Sequence, residues 1–430
     1  MLQPEPSAWT VVNSSPWQRN DLVFVPLTDG SERVEWVTGS GETCSTQRTE
    51  GGWLVNISNI PPMGYTTVLG ADSERPAVSP QSVPFQFSEN GIETPYYTLE
   101  WNGQGHLTGI YDKAAGREVL LPGQCGNVFE VFEDKPKSRH EAWDIDLYYL
   151  EKRKVVGDCA EVRLVEAGPL RAVVRFTWNY MNSSIVQSMV LYSHSRRIEF
   201  QTTVDWNEQR QLLKVAFPVN IRATEATYDI QFGNVKRPTH WNTSWDYARF
   251  ETVGHQWADL SERGYGVSLL NDCKYGYDIK DHVMRLTLIK SALIPDPTAD
   301  LGEHQFTYAL YPHQGDWFEG ETVQEAWCLN NPPSAVLGKP SVSKQSLFTV
   351  SAPNVFIDAV KLAEEGEGLI IRLHEFACSR GCTDLSCGLP IAIWEETDLL
   401  ENAIPGGSEG QGDIQFEIAP YEIKTFRLQF

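Results

Sequence analysis

Between Arg197 and Trp206 the sequence alternates strictly. Ile198, Phe200, Val204 and Trp206 fall on one face, and Arg197, Glu199, Gln201, Thr203 and Asp205 fall on the other. Successive side chains of a strand point to opposite faces, so this pattern predicts a strand with one buried face. The same period recurs at Ala172 to Trp178, Tyr96 to Trp101, Gly266 to Leu270, Val283 to Ile289, Leu369 to Leu373 and Lys424 to Phe430. Short runs of this kind, separated by Gly, Asn, Asp and Pro, indicate antiparallel sandwiches rather than βαβ units. Only Glu321 to Leu329 reads as a helix.

Punctuation then divides the chain. Asn102-Gly103, between the strand ending at Trp101 and another beginning near His106, predicts a tight type I′ hairpin. The stretch from Gly70 to Pro84, with Pro76 and Pro80, reads as a linker, and a second Pro-rich break runs from Asn330 through Pro332, Pro333 and Pro340. The expected organisation is all-β: a small N-terminal sandwich over 1–85, a large β domain over 86–335 and a C-terminal sandwich over 336–430.

Charge and motifs exclude several functions. Against 35 Lys and Arg stand 57 Asp and Glu, a formal charge of -22. A phosphate backbone would repel such a chain, as would an anionic membrane surface, so neither nucleic acid nor membrane is an expected partner. No apolar run approaches the length of a membrane span, and Met1-Leu2-Gln3-Pro4-Glu5-Pro6 has neither the basic nor the apolar region of a signal peptide. The eight cysteines are dispersed, which suits reduced thiols in a cytoplasm better than a disulfide framework. Cys378, Cys382 and Cys387 lie close together without a CxxC, so a zinc site is not expected there. The four Asn-X-Ser sequons, at Asn13, Asn56, Asn182 and Asn242 (the last with Thr243 before Ser244), carry little weight without a secretory signal. Nucleotide-binding glycine fingerprints, HExxH and GxSxG are all absent from the sequence.

Two regions concentrate chemistry. The first runs from Phe129 through Glu133-Asp134-Lys135-Pro136 to Trp143-Asp144-Ile145-Asp146. On a strand, Asp144 and Asp146 would share a face, where mutual repulsion raises one pKa; the alternative is a pair of solvated loop carboxylates satisfying local N–H groups. The second contains His240, Trp241, Asn242, Trp245 and Asp246, then His255, Trp257, Asp259 and Glu262. Tryptophan beside Asp, Asn and His suits a sugar, whose C–H face stacks on a ring while its hydroxyls take paired hydrogen bonds. The alternative is ordinary packing, with the tryptophans in the core and His255 holding a loop.

These regions resemble the C-terminal β portion of glycoside hydrolase family 38, the retaining α-mannosidases, and more closely the cytosolic and bacterial branch. The likeness rests on Gly103 with Asp112-Lys113 and Glu118-Val119-Leu120; on Phe132-Glu133-Asp134-Lys135-Pro136 and Trp143-Asp144-Ile145-Asp146; and on Asn242-Thr243-Ser244-Trp245-Asp246 with Ala248-Arg249-Phe250-Glu251. It continues through His255, Trp257, Asp259-Leu260-Ser261-Glu262 and Leu269-Leu270-Asn271-Asp272-Cys273-Lys274-Tyr275-Gly276 to Asp300, Gly302, His304 through Leu310, and Pro420 through Thr425. Such motifs in this order span essentially the whole chain.

The resemblance implies a large galactose-mutarotase-like supersandwich flanked by smaller sandwiches. It also implies a hydrolase of terminal α-mannosides whose zinc, nucleophile and metal ligands belong to an N-terminal barrel and helical domain. No residue here matches those ligands, so the chain alone is expected to be inactive and to bind no zinc, with the zinc of the intact enzyme held elsewhere. Expected partners are an α-mannoside or oligosaccharide and the barrel and helical domains; self-association is left open. Asp134, Trp143, Asp144, Asp146, His240, His255, Trp257, Asp259 and Asp272 are the substrate-proximal candidates on this reading. The competing readings are a free-standing carbohydrate-binding module and a mutarotase-like epimerase, which would need a His acid and a carboxylate base.

Overall fold

The computed structural model describes residues 7–27, 34–72 and 83–430. It divides into two compact units, one comprising Ser82–Ile230 and Val235–Asn330, the other Met1–Gln81, Gln231–Asn234 and Asn331–Phe430. Among the described residues the sheets pair antiparallel throughout, as the alternation predicts, and Thr322–Asn330 is the longest helix.

The first unit holds three sheets around one core. Along a nine-stranded sheet the order among the described strands is Asp158–Ala167, Arg171–Tyr180, Ser183–Tyr192, Ile198–Trp206, Gly302–Gln314, Tyr265–Asn271, Trp257–Glu262, Glu225–Ile230 and Gly233–Pro238. A six-stranded sheet runs Arg153–Val155, Val128–Glu133, Gln211–Pro218, Val283–Ser291, Gly276–Lys280 and Thr252–Val253. A smaller sheet is a meander from Gln86–Ser88 to Arg117–Glu118. Alternate residues of all three meet in the middle: Trp101 and Ile110, Phe129, Val215 and Leu286, and Trp178, Phe200 and Tyr308 are all buried in a single cluster. Edge-to-face pairs lock the layers, with ring centroids 5.2 Å apart for Phe129 and Trp178 and 5.5 Å for Trp101 and Phe176. The strand Ile198–Trp206 buries the predicted face; Glu199, on the opposite face, is also covered, because Arg197 and Tyr192 both bond its carboxylate.

The second unit contains two smaller sandwiches. In one, Ala8–Asn13 pairs with Gly64–Asp72 on one side and Ser334–Leu337 on the other, above Arg19–Pro26, Gly52–Ile60 and Thr46–Thr49. In the other, Val355–Leu362, Leu369–Glu375, Ile423–Gln429 and Ile393–Thr397 face Phe348–Val350, Gly381–Cys387 and Ile414–Ile418. Each has its own buried cluster, around Trp36 and Val55 and around Leu373 and Phe426 respectively.

Local expectations need four corrections. The connection after Trp101 is a longer loop, because the Asn102 side-chain oxygen accepts from the N–H groups of both Gln104 and His106 and Gly105, not Gly103, takes the positive φ of 76°. Gly64–Asp72 carries a strand into the expected linker, whose residues 73–82 lie outside the described residues. The Pro-rich break at 330–340 contains the strand Ser334–Leu337; Pro332 and Pro333 precede it and Pro340 follows it, so its own N–H groups are free to pair. Finally, Asp144 and Asp146 lie in a turn and loop ahead of the 3-10 helix Leu147–Lys152, where the N–H of Asp144 bonds His140 and the i, i+2 rule of a strand does not apply.

Candidate functional site

The strand Gln211–Pro218 reads Gln-Leu-Leu-Lys-Val-Ala-Phe-Pro, a cation inside an apolar run. Leu213, Val215 and Phe217 point into the main core, so Leu212 and Lys214 face the other side of the sheet. That side is roofed by the segment 134–152 and by the segment 239–251. Tyr149 joins the two, its ring 4.9 Å from Phe132 and 5.9 Å from Phe250. The first region singled out for its chemistry and the leading part of the second, His240 to Asp246, therefore meet over one sheet face.

Beneath the roof lies a buried charge network. Lys214 is fully buried, donates to Tyr149 Oη at 3.1 Å, pairs with Glu251 and lies 3.5 Å from Asp278. Burial disfavours its charge, but the carboxylates of Glu251 and Asp278 outweigh that cost and lift its pKa above the usual lysine value. Glu251 also accepts from Thr287. Arg285 and Arg153 share Glu130, at 2.7 and 2.8 Å, and Arg285 reaches Asp278 at 3.6 Å. With the exposed Arg153 at its margin, three cations face three carboxylates, and no charge of the network is left unpaired.

The roof presents aromatic groups outward. In the short helix Ser244–Ala248, Thr243 and Asp246 close a capping box, with Asp246 N–H donating to Thr243 Oγ1 at 3.1 Å and Thr243 N–H to Asp246 Oδ2 at 3.2 Å. Trp245 is 75 % exposed and Trp143, on the other segment, 70 %. Large aromatic rings held in the open offer flat faces for stacking.

The expected site residues separate into two groups. Asp134 is buried against Lys290; burial raises its pKa and the ammonium opposes that. Lys290 also donates to the Asp144 carbonyl at 3.1 Å. Asp146 is half-buried, and the Lys137 N–H at 2.7 Å holds its pKa below the ordinary carboxylate range. Trp143 packs edge-on against His140, with centroids 5.8 Å apart. His240 is half-buried with Nδ1 3.8 Å from Asp246. These residues share the roofed face.

The second group sits on the nine-stranded sheet. Trp257 is buried and stacks on Trp317 at 5.3 Å. Asp259 is buried, accepting from Ser268 at 2.9 Å and from Ser261 and lying 2.8 Å from His313 Nε2. His255 is half-buried beside Tyr275, centroids 5.1 Å apart. Asp272 Oδ2 accepts from the Thr307 N–H at 2.9 Å, tying a loop to the neighbouring strand. Sequence reading missed the anchors of the roof, Lys214, Tyr149, Asp278 and Arg285. A lysine at an alternating position of an apolar strand was the signal for the first of them.

Among the described residues no group of three or more His, Cys, Asp or Glu side chains is placed to hold a metal ion.

Comparison with known proteins gives this architecture a context. The profile "Glycosyl hydrolases family 38 C-terminal domain" matches residues 92–298, and "Glycosyl hydrolases family 38 C-terminal beta sandwich domain" matches 354–426. "Alpha-mannosidase 2C1" of Homo sapiens is 35% identical over 439 residues, covering 99% of this chain. "Alpha-mannosidase G" of Dictyostelium discoideum is 36% identical over 442 residues, covering 97% of it. The chain spans 40% of the length of either relative. An alpha-mannosidase structure from Enterococcus faecalis V583 superposes with a TM-score of 0.78 at 17% identity, covering 99% of this chain and 56% of that one, and so shares its fold.

The sandwiches and the two profiles in succession define the class, the β-rich region of a glycosyl hydrolase. The chain belongs to glycosyl hydrolase family 38 and corresponds to the C-terminal part of that family.

Proposed function

We propose that this chain is the noncatalytic β region of a retaining, zinc-dependent α-mannosidase, acting on terminal α-mannosides in glycan breakdown. It supports and helps to enclose a sugar site whose zinc and nucleophile reside in an N-terminal barrel. What carries the reading is the end-to-end match with α-mannosidases of which the chain spans 40%. The six- and nine-stranded sheets are, on this view, the mutarotase-like supersandwich; three buried clusters support three β bodies near the proposed 1–85, 86–335 and 336–430, with the strand Ser334–Leu337 joining the first of them. A cytoplasmic setting is supported by eight dispersed cysteines.

We assign sugar contact to the exposed side of the first group, Trp143 with Asp144, Asp146 and His240, and to His255. Asp134, Trp257, Asp259 and Asp272 act by holding the segments in place, since each is buried or tied to a neighbour: Asp134 to Lys290, Trp257 to Trp317, Asp259 to His313 and Asp272 through Oδ2 to the Thr307 N–H. A chimera tests the reading: this chain replaces the corresponding C-terminal part of the Dictyostelium alpha-mannosidase G. The expected result is aryl α-mannoside hydrolysis by the chimera, with neither turnover nor stoichiometric zinc in the 430-residue chain alone. Turnover and one equivalent of zinc in the isolated chain, or a folded chimera without activity, would contradict it.

A further inference from the structure

A cavity of about 500 Å³, whose lining includes neither Trp143 nor Trp245, lies along the edge strand Arg153–Val155 of the six-stranded sheet. Its walls carry Lys135, Lys152, Arg153, Lys154 and Arg210, and among the described residues its lining has a single carboxylate, Glu133. Lys135 and Lys152 both bond that carboxylate, so one negative charge serves two positive ones, and the pair holds the Glu133 pKa down to about 2. Arg153 shares Glu130 with Arg285, and Arg210 pairs with Glu141 at 2.5 Å; both of those carboxylates lie outside the lining. The concentration of cations stands against the overall charge of -22.

Its shape is also built rather than incidental. The Tyr180 ring stacks on Trp206 at 5.9 Å and 3°, and its hydroxyl donates to Gln211 Oε1 at 2.8 Å, fixing an aromatic wall with amide groups beside it. Arg210 itself has φ 52°, a conformation uncommon for a side-chain-bearing residue, and its backbone is held there by N–H donation to Ser291 O at 2.6 Å and by the Asp134 N–H at 2.8 Å on its carbonyl. Lysines on an edge strand also discourage strand pairing, but that role requires neither the cavity nor the arginine held at positive φ.

We propose that this cavity binds a sugar bearing an acidic substituent, a phosphate or a carboxylate, with the cations on the anion and the Tyr180 face and amides on the ring. The saccharide part of this assignment rests on the mannosidase reading above; the anion part rests on the lining alone. The experiment is calorimetric titration of the full 430-residue chain with mannose 6-phosphate, mannose and inorganic phosphate at low ionic strength.

Mannose 6-phosphate is expected to bind saturably, at least roughly tenfold more tightly than either mannose or inorganic phosphate, and to weaken as salt screens the lysines. Lys152→Glu combined with Lys154→Glu, both at exposed positions, is expected to abolish binding, while Arg163→Glu on the exposed strand Asp158–Ala167 leaves it intact. No saturable binding, equal binding of inorganic phosphate, or an equal loss with Arg163→Glu would each overturn the proposal. Because the readout is binding, an inactive chimera would leave a positive result standing, and a negative one would leave the mannosidase reading untouched.

Discussion

Replacing Lys214 by Met tests whether the buried charge network holds the roof. The side chain is fully buried, with Glu251 and Asp278 as its carboxylate partners. Asp278 keeps Arg285 at 3.6 Å after the change, so Glu251 is the group left without a cation, retaining only the Thr287 hydroxyl. Removing one partner of a buried pair costs about 3 to 5 kcal/mol, and the lost Tyr149 hydrogen bond adds about 1 kcal/mol. The retained hydroxyl and the residual 18% exposure of the Glu251 side chain favour the lower end, about 4 kcal/mol in all. Lys214→Met with Glu251→Gln removes both charges and is expected to cost only about 1 to 2 kcal/mol, less than Lys214→Met alone and well below the sum of the two single costs. Urea unfolding gives the totals, and native-state hydrogen exchange over 211–218 and 243–253 shows whether the roof loosens with them. A single-variant cost below about 1 kcal/mol, or strictly additive costs in the double variant, would refute the account.

Three further outcomes are expected. Gly105→Ala places a Cβ 2.8 Å from the Trp178 ring at a positive φ, and should cost about 1 to 3 kcal/mol, read as a lowered Tm; an unchanged Tm would show that the loop yields. Arg210 holds the Glu141 pKa down and the Lys137 N–H holds that of Asp146 down, so their stabilisation is complete above the unfolded value of about 4 and is lost as pH falls below it; Glu133 extends that window to about 2. Exchange of amides 133–152 should therefore accelerate selectively below about pH 4, and a pH-independent protection pattern relative to the core would count against it. Trp143→Ala, at a 70 % exposed site, should move stability by no more than about 0.5 kcal/mol, yet lower kcat/KM in the active chimera; a stability loss with unchanged kcat/KM would make the ring a packing element.

Strands were legible because period-two burial is a local signal. Ile198 to Trp206 could be read directly, since one face of it meets the core and the other does not. The turn at Asn102 was not, because the choice between Gly103 and Gly105 depends on Trp178, whose indole N–H bonds the Gln104 carbonyl at 2.8 Å from 74 positions away. Asp259 illustrates the same limit at the site. Its sequence neighbourhood is polar, but His313, Ser268 and Ser261 enclose its carboxylate, and only the pairing of Trp257–Glu262 with Tyr265–Asn271, and of the latter with Gly302–Gln314, brings them together. Conversely, Trp143 and Trp245 look like core residues by composition, and the structure leaves both rings in the open.

The strand Ala8–Asn13 takes one neighbour, Gly64–Asp72, from nearby in the chain and the other, Ser334–Leu337, from more than 300 positions later, with Thr10 Oγ1 donating to Gly338 O across a separation of 328 residues. During synthesis this sandwich therefore waits, one edge bare, while residues 83–330 emerge and the larger unit can already close. A ribosome that stalled just after Asn330 would release a nascent chain with a finished large unit and a strand lacking its edge partner, ready to pair with a stranger. In such a molecule the order of translation, rather than the strength of any contact, decides which part is vulnerable to a chaperone, a protease or another copy of itself.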